Sequence, residues 1–125
     1  MSKFAACALK ARRGLLLTGD ADTCVDLNGT TGHASRAIGA SLNLGDNFTI
    51  EAWVNLDALT DGSVIYNHGT GANSPSLEIS STQNFVLWVG GNNVAIGTAT
   101  LSVTTTYHVV ATKNGSTRAI YVNGT

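Results

Sequence analysis

Charge is what this chain has least of. Only 12% of its residues are Asp, Glu, Lys or Arg, about half the usual share, and they sum to a net charge of −1. A near-neutral surface supplies no broad field to recruit nucleic acid or an anionic membrane, so neither is an expected partner. The same sparse charge accompanies a hydrophobic fraction of 43%, too high for a disordered chain. Proline occurs once, at Pro75, and cysteine twice, at Cys7 and Cys24. Two cysteines cannot make a disulfide scaffold, and their spacing matches no zinc or redox motif. They could pair, but two reduced, partly buried thiols are the expected state. No apolar run approaches the roughly 18 residues of a membrane helix. The stretch from Phe4 to Leu9 is too short for a signal peptide core and is broken by Lys10. The chain is therefore expected to be made and kept in the cytoplasm, or to sit on a particle released from it. Four sequons, at Asn28, Asn47, Asn114 and Asn123, are then expected to stay unmodified.

What is abundant is turn chemistry. Fourteen glycines and many Thr, Ser and Asn residues punctuate short apolar runs in a 125-residue chain, the length of one domain. Four of the seven basic residues (Lys3, Lys10, Arg12, Arg13) fall in the first thirteen positions. They predict a basic N-terminal arm over 1–13, in one or two helical turns or loose, ahead of a domain over 14–125. Within that domain, two short runs around a Gly19–Asp22 turn read as a hairpin, and 28–46 as a long loop touching the fold through Ile38 and Leu42. The clearest strand runs from Phe48 to Leu56. Phe48, Ile50, Ala52, Val54 and Leu56 share one face, and Thr49, Glu51, Trp53 and Asn55 the other. Further strands are expected at 62–68, 76–80, 84–90, 93–98, 107–113 and 118–122. Gly90 to Asn93 and Asn114 to Thr117 have the chemistry of tight hairpins. No helical period is sustained after residue 14. Strands recurring every 8–12 residues or so predict an all-β antiparallel sandwich of jelly-roll type.

Three stretches carry a family resemblance: LLLTGDADTCVDL at 15–27, ASLNLGDNFTIEAWV at 40–54, and YHVVATKNG at 107–115 followed by IYVNG at 120–124. In order and spacing they resemble the laminin G-like branch of the concanavalin A-like lectin/glucanase jelly rolls. The likeness runs from about Leu15 to the last residue. Such domains normally continue past the Tyr-Val-Asn-Gly turn with further strands, whereas this chain stops at Thr125. Either the sequence is a fragment, or an open sheet edge is expected, to be filled by another copy of the chain, another protein or its own N-terminal segment.

The resemblance also implies functions to test against the residues. Glycosidases of this fold need two carboxyl groups flanking one bond. Glu51 and Glu78, the two glutamates, have no acid at alternate positions beside them, so catalysis is not expected. His33, His68 and His108 are scattered, and His108, alternating with Val110 and Thr112, reads as a packing residue. Calcium, common in the family, needs about 6–8 oxygen ligands. Asp20 with Asp22, and Asp57 with Asp61, offer two acids per loop, so no cofactor is expected and calcium is left open. Trp53 and Trp88 are the sugar-stacking candidates. Alternation turns both away from the apolar face, although a covered second layer is at least as natural for Trp53. With Trp88, the turn residues Asn67, His68, Asn92 and Asn93 form the expected ligand-binding set, and Asn73 lies in the same kind of turn. The function this reading predicts is a non-catalytic binding or adhesion module for a glycan or cell-surface polysaccharide. A virion decoration or other assembly protein is the alternative, and a glycoside hydrolase the remote one.

Overall fold

A computed structural model of the chain describes residues 4–7, 24–27, 44–68, 74–90 and 93–125. These contain nine strands: β1 (Phe4–Cys7), β2 (Cys24–Leu27), β3 (Asn47–Leu56), β4 (Val64–Asn67), β5 (Pro75–Ile79), β6 (Phe85–Val89), β7 (Asn93–Ile96), β8 (Thr106–Asn114) and β9 (Thr117–Val122). No helix occurs among the described residues. The strands form a five-stranded sheet in the order β2-β1-β3-β8-β9 and a four-stranded sheet in the order β4-β5-β6-β7. All pairings are antiparallel. The all-β sandwich expected from alternation is the architecture found.

Alternation explains why these segments are strands. Along β3, Ile50, Val54 and Leu56 are buried while Asn47, Thr49, Glu51 and Trp53 are exposed. Along β8, Tyr107, Val109, Ala111 and Lys113 point to the interior. From the other sheet, Leu77, Ile79, Phe85, Leu87 and Val89 meet them, and Leu101 and Val122 complete one contiguous core. The Phe85 and Tyr107 rings touch edge to face across the sheets, with centroids 5.9 Å apart. The Tyr107 hydroxyl accepts a hydrogen bond from the Ser102 backbone N–H at 2.8 Å, so its polar end is satisfied inside the apolar layer. Lys113 ends the inner row of β8, and its ammonium donates to the Asp46 carbonyl (3.0 Å) and carboxylate (3.1 Å) at the mouth of the sandwich.

Two glycines matter to closure. Gly115, with φ of +57°, turns the β8–β9 hairpin, and its N–H donates to the Asn47 side-chain oxygen at 2.9 Å. Gly97 sits where the β6–β7 pair approaches β9. A Cβ there would come 3.2 Å from the Ile120 methyl group and 3.4 Å from the Phe85 carbonyl oxygen, which accepts the Gly97 N–H.

The N-terminal segment differs from expectation. Phe4–Cys7 is not in a helical turn or a loose arm: it is a strand between β2 and β3, with Phe4 opposite Leu56 and Cys7 opposite Trp53. Four residues carry too little periodicity to announce a strand, and their partner lies about fifty residues away. Cys7 and Cys24 occupy directly opposed positions of the β1–β2 ladder. Opposed antiparallel residues have Cα atoms about 4.5–5.5 Å apart, within the span of a disulfide. The described partner of β2 is β1, while Gly14 to Thr23, with the first half of the expected hairpin, lie outside the described residues. So do Ile38 and Leu42.

Candidate functional site

The site is built on the outward face of the four-stranded sheet. Strand β6 is FVLWV, and its alternation sends Phe85, Leu87 and Val89 to the core, which leaves Val86 and Trp88 on the other side. Trp88 is 38% exposed. Across the ladder, Trp88 faces Ser76 of β5, and Ser76 faces Asn67 of β4. Adjacent strands lie about 4.8 Å apart, so these three form one short row in which Asn67 and Trp88 are exposed and Ser76 between them is only 6% exposed. A second row runs Val64, Glu78, Val86, Ile96 across the same four strands. Val64 and Asn67 are three residues apart, yet both oppose outward positions. The register shift between Val64 and Tyr66 makes this so, because a bulge adds one residue and restores the face.

The polar groups of this face are few and placed together. The Ser76 hydroxyl donates to the Glu78 carboxylate through Oε1. No cation pairs with Glu78 among the described residues. Around them stand Trp88, with Val64 at 48% and Ile96 at 59% exposure, while Val86 is only 2% exposed beneath its neighbours. At the near end of the sheet the His68 N–H donates to the Pro75 carbonyl at 3.0 Å. Its ring nitrogen Nδ1 lies 3.1 Å from the Tyr66 hydroxyl, and the two rings stack with centroids 6.4 Å apart. Burial of Tyr66 against the core pushes its hydroxyl above the ordinary tyrosine value.

The ladder thus gathers most of the residues expected from sequence at one end of one sheet. Asn67 and Trp88 share a row. His68 abuts Pro75, which opposes Val89, which opposes the backbone of Asn93. Asn73 and Asn92 lie outside the described residues. Sequence reasoning missed Ser76 as a site residue and considered Glu78 only as a catalytic acid. Both alternate against Leu77 and Ile79, which was the available signal, but only the strand pairing reveals that they adjoin Trp88.

The second tryptophan stands on the opposite outer surface, that of the five-stranded sheet. Trp53 is 47% exposed, so it is not part of a covered second layer. It opposes His108 on β8, and the two rings stack with centroids 4.7 Å apart and planes at 26°. His108 in turn meets the Glu51 carboxylate through Nε2 at 2.8 Å. Its backbone N–H donates to the Asn123 side-chain oxygen at 2.9 Å. The packing role expected for His108 is what these contacts describe.

The two glutamates therefore lie on opposite outer surfaces with the core between them. They cannot flank one glycosidic bond together. Asp57 and Asp61 are exposed, and no group of three or more His, Cys, Asp or Glu side chains gathers among the described residues. Asp20 and Asp22 lie outside the described residues.

A laminin G-type family model, described as the concanavalin A-like lectin/glucanases superfamily, matches residues 28–125. The chain belongs to this superfamily. The match covers β3 to β9 and begins later than Leu15, so the 15–27 stretch is not part of it. No curated protein and no solved structure matches the chain. A laminin G-like domain is consistent with a binding module, and its superfamily also includes glycosidases.

Proposed function

We propose that this laminin G-like domain is a non-catalytic saccharide-binding module whose site is the outward face of β4–β7. One observation carries the reading. Trp88 projects from that face with no other ring stacked on it among the described residues, in a row with Asn67 and Ser76 and beside Glu78. A sugar ring has an apolar face and a rim of hydroxyls. An exposed indole accepts the first, and the Asn67 amide and the Glu78 carboxylate, the latter held by the buried Ser76 hydroxyl, bond the second. Affinity electrophoresis of the intact chain through gels containing glucan, mannan or chitin-derived polysaccharide tests this. Retardation by one of them that is lost in Trp88→Ala supports the reading; retardation by none, or loss that does not depend on Trp88, overturns it.

A second reading, an assembly or decoration protein, is favoured by Val64 and Ile96, whose exposure on this same face is high for apolar side chains. A second copy or another chain would then cover the face or pair with the outer edge of β9. Light scattering after gel filtration, across a dilution series, separates the two. A multimer whose mass persists on dilution and dissociates in Ile96→Asp would favour assembly.

A further inference from the structure

The saccharide site proposed above carries a charge preference that can be read from what surrounds it. Between Arg36 and Lys113 the sequence contains no lysine or arginine, and its five charged residues there (Asp46, Glu51, Asp57, Asp61, Glu78) are all acidic. Strands β4 to β7 lie wholly inside this stretch. Residues 69–73 and 91–92, which lie outside the described residues, contain no charged residue either. On the outward face itself Glu78 is the single charge, half-buried, with one oxygen held by Ser76 and no cation as partner among the described residues. The lysine and arginine among the described residues bond elsewhere: the Lys113 ammonium to Asp46, and the Arg118 guanidinium to the Ser116 carbonyl at 3.2 Å.

We infer that the β4–β7 face selects saccharides bearing a free amine, accepts neutral ones more weakly and rejects acidic ones. A partly desolvated carboxylate placed diagonally to an indole on the neighbouring strand offers two attractions to an ammonium group: ion pairing, and the negative face of the ring. A uronate, sulfate or sialyl carboxylate meets the same carboxylate as a like charge, with no lysine or arginine on the face among the described residues to offset it. Neutral sugars keep the stacking and the hydroxyl hydrogen bonds alone. This inference rests on the saccharide-binding reading, and its test is arranged so that the two fail differently.

The experiment uses the intact chain and three probes of similar length: glucosamine oligomers with free amines, the same oligomers N-acetylated, and hyaluronate oligomers. Binding is followed by calorimetry in mildly acidic, low-salt buffer. The free-amine oligomer should bind about threefold more tightly than its acetylated twin, the scale of one exposed ion pair, and hyaluronate at least about tenfold more weakly than either. Glu78→Gln should bring the ratio of the first two close to one. In the unaltered chain, raising the salt concentration should shrink that ratio in the same direction. Equal binding of the free-amine and acetylated probes, or tightest binding of hyaluronate, overturns the charge preference while leaving Trp88-dependent binding intact. Failure of all three probes to bind overturns the charge preference, and overturns the saccharide reading as well when none of the polysaccharide gels retards the chain.

Discussion

The sandwich has two outer surfaces, each bearing one exposed tryptophan, and they treat it in opposite ways. On the five-stranded sheet Trp53 is spoken for: the His108 ring lies against it, and Glu51 and Asn123 fix His108 in turn. On the four-stranded sheet Trp88 has backbone neighbours but no ring upon it among the described residues, and the nearby carboxylate of Glu78 has no cation. A surface whose polar groups satisfy one another has little left to offer a ligand. The other outer surface leaves, among the described residues, an exposed indole with no ring upon it and a carboxylate held only by the Ser76 hydroxyl, which is why the proposed site is placed there. Exposure alone would rank Trp53 first; the company each ring keeps reverses that order.

Substitutions can break or sharpen this contrast. The largest effect is expected at the free ring. Trp88→Ala should weaken saccharide affinity at least tenfold, about 1.4 kcal/mol, while Trp53→Ala leaves it within twofold. Affinity electrophoresis of both variants side by side would erase the contrast if they lost binding equally. Next in size, Trp53→Ala should lower unfolding stability by about 1 kcal/mol. A cycle with His108→Ala should recover a coupling of about 0.5–1 kcal/mol, the range of a cross-strand aromatic pair. Urea titration measures both, and a coupling near zero would mean that the stack is incidental. Glu51→Gln should cost only a few tenths of a kcal/mol, because its carboxylate is well exposed, and the cost should shrink in high salt.

The smallest effect concerns Tyr66. Its hydroxyl titrates above the usual tyrosine value of 10.0 because it is buried, so the folded state holds that proton more firmly than the unfolded chain. Its contribution is thus fully present below about pH 10 and is lost as pH rises through the raised folded value. Urea midpoints for the parent and Tyr66→Phe at pH 9 and pH 11 should show a steeper alkaline loss in the parent. Equal slopes would remove this assignment.

Much of the frame was legible in residue order. The alternation of 48–56 assigned inner and outer faces correctly, and the expected strands at 62–68, 76–80, 84–90, 93–98, 107–113 and 118–122 coincide with β4 to β9 to within two residues at most of their ends. Local periodicity could do this because each strand faces a core on one side. It could not show Val86 buried on the outer side of β6, since that depends on which residues of β5 and β7 stand beside it. Nor could it show Ser76 beside Trp88, because that pairing is fixed by the Ser80–Asn84 connection. There the Ser80 N–H donates to the Asn84 carbonyl and Gln83 takes a φ of +60°. Trp88 and Asn67 could be singled out as binding candidates by their own chemistry, whereas Glu78 enters the proposed site only through neighbours supplied by register.

The two sheets also differ in how far along the chain their partners lie. Strands β4 to β7 form a meander in which every strand pairs with the next. In the other sheet, β3 pairs with β8 through a ladder that sets Trp53 opposite His108, and β1 pairs with β3 across a comparable separation. Short closures are made first and distant ones last. A meander formed ahead of the other sheet would leave Leu77, Ile79, Phe85, Leu87 and Val89 open to water until β3 and β8 close over them. The interval between the two closures is therefore when the folding chain is most exposed to aggregation.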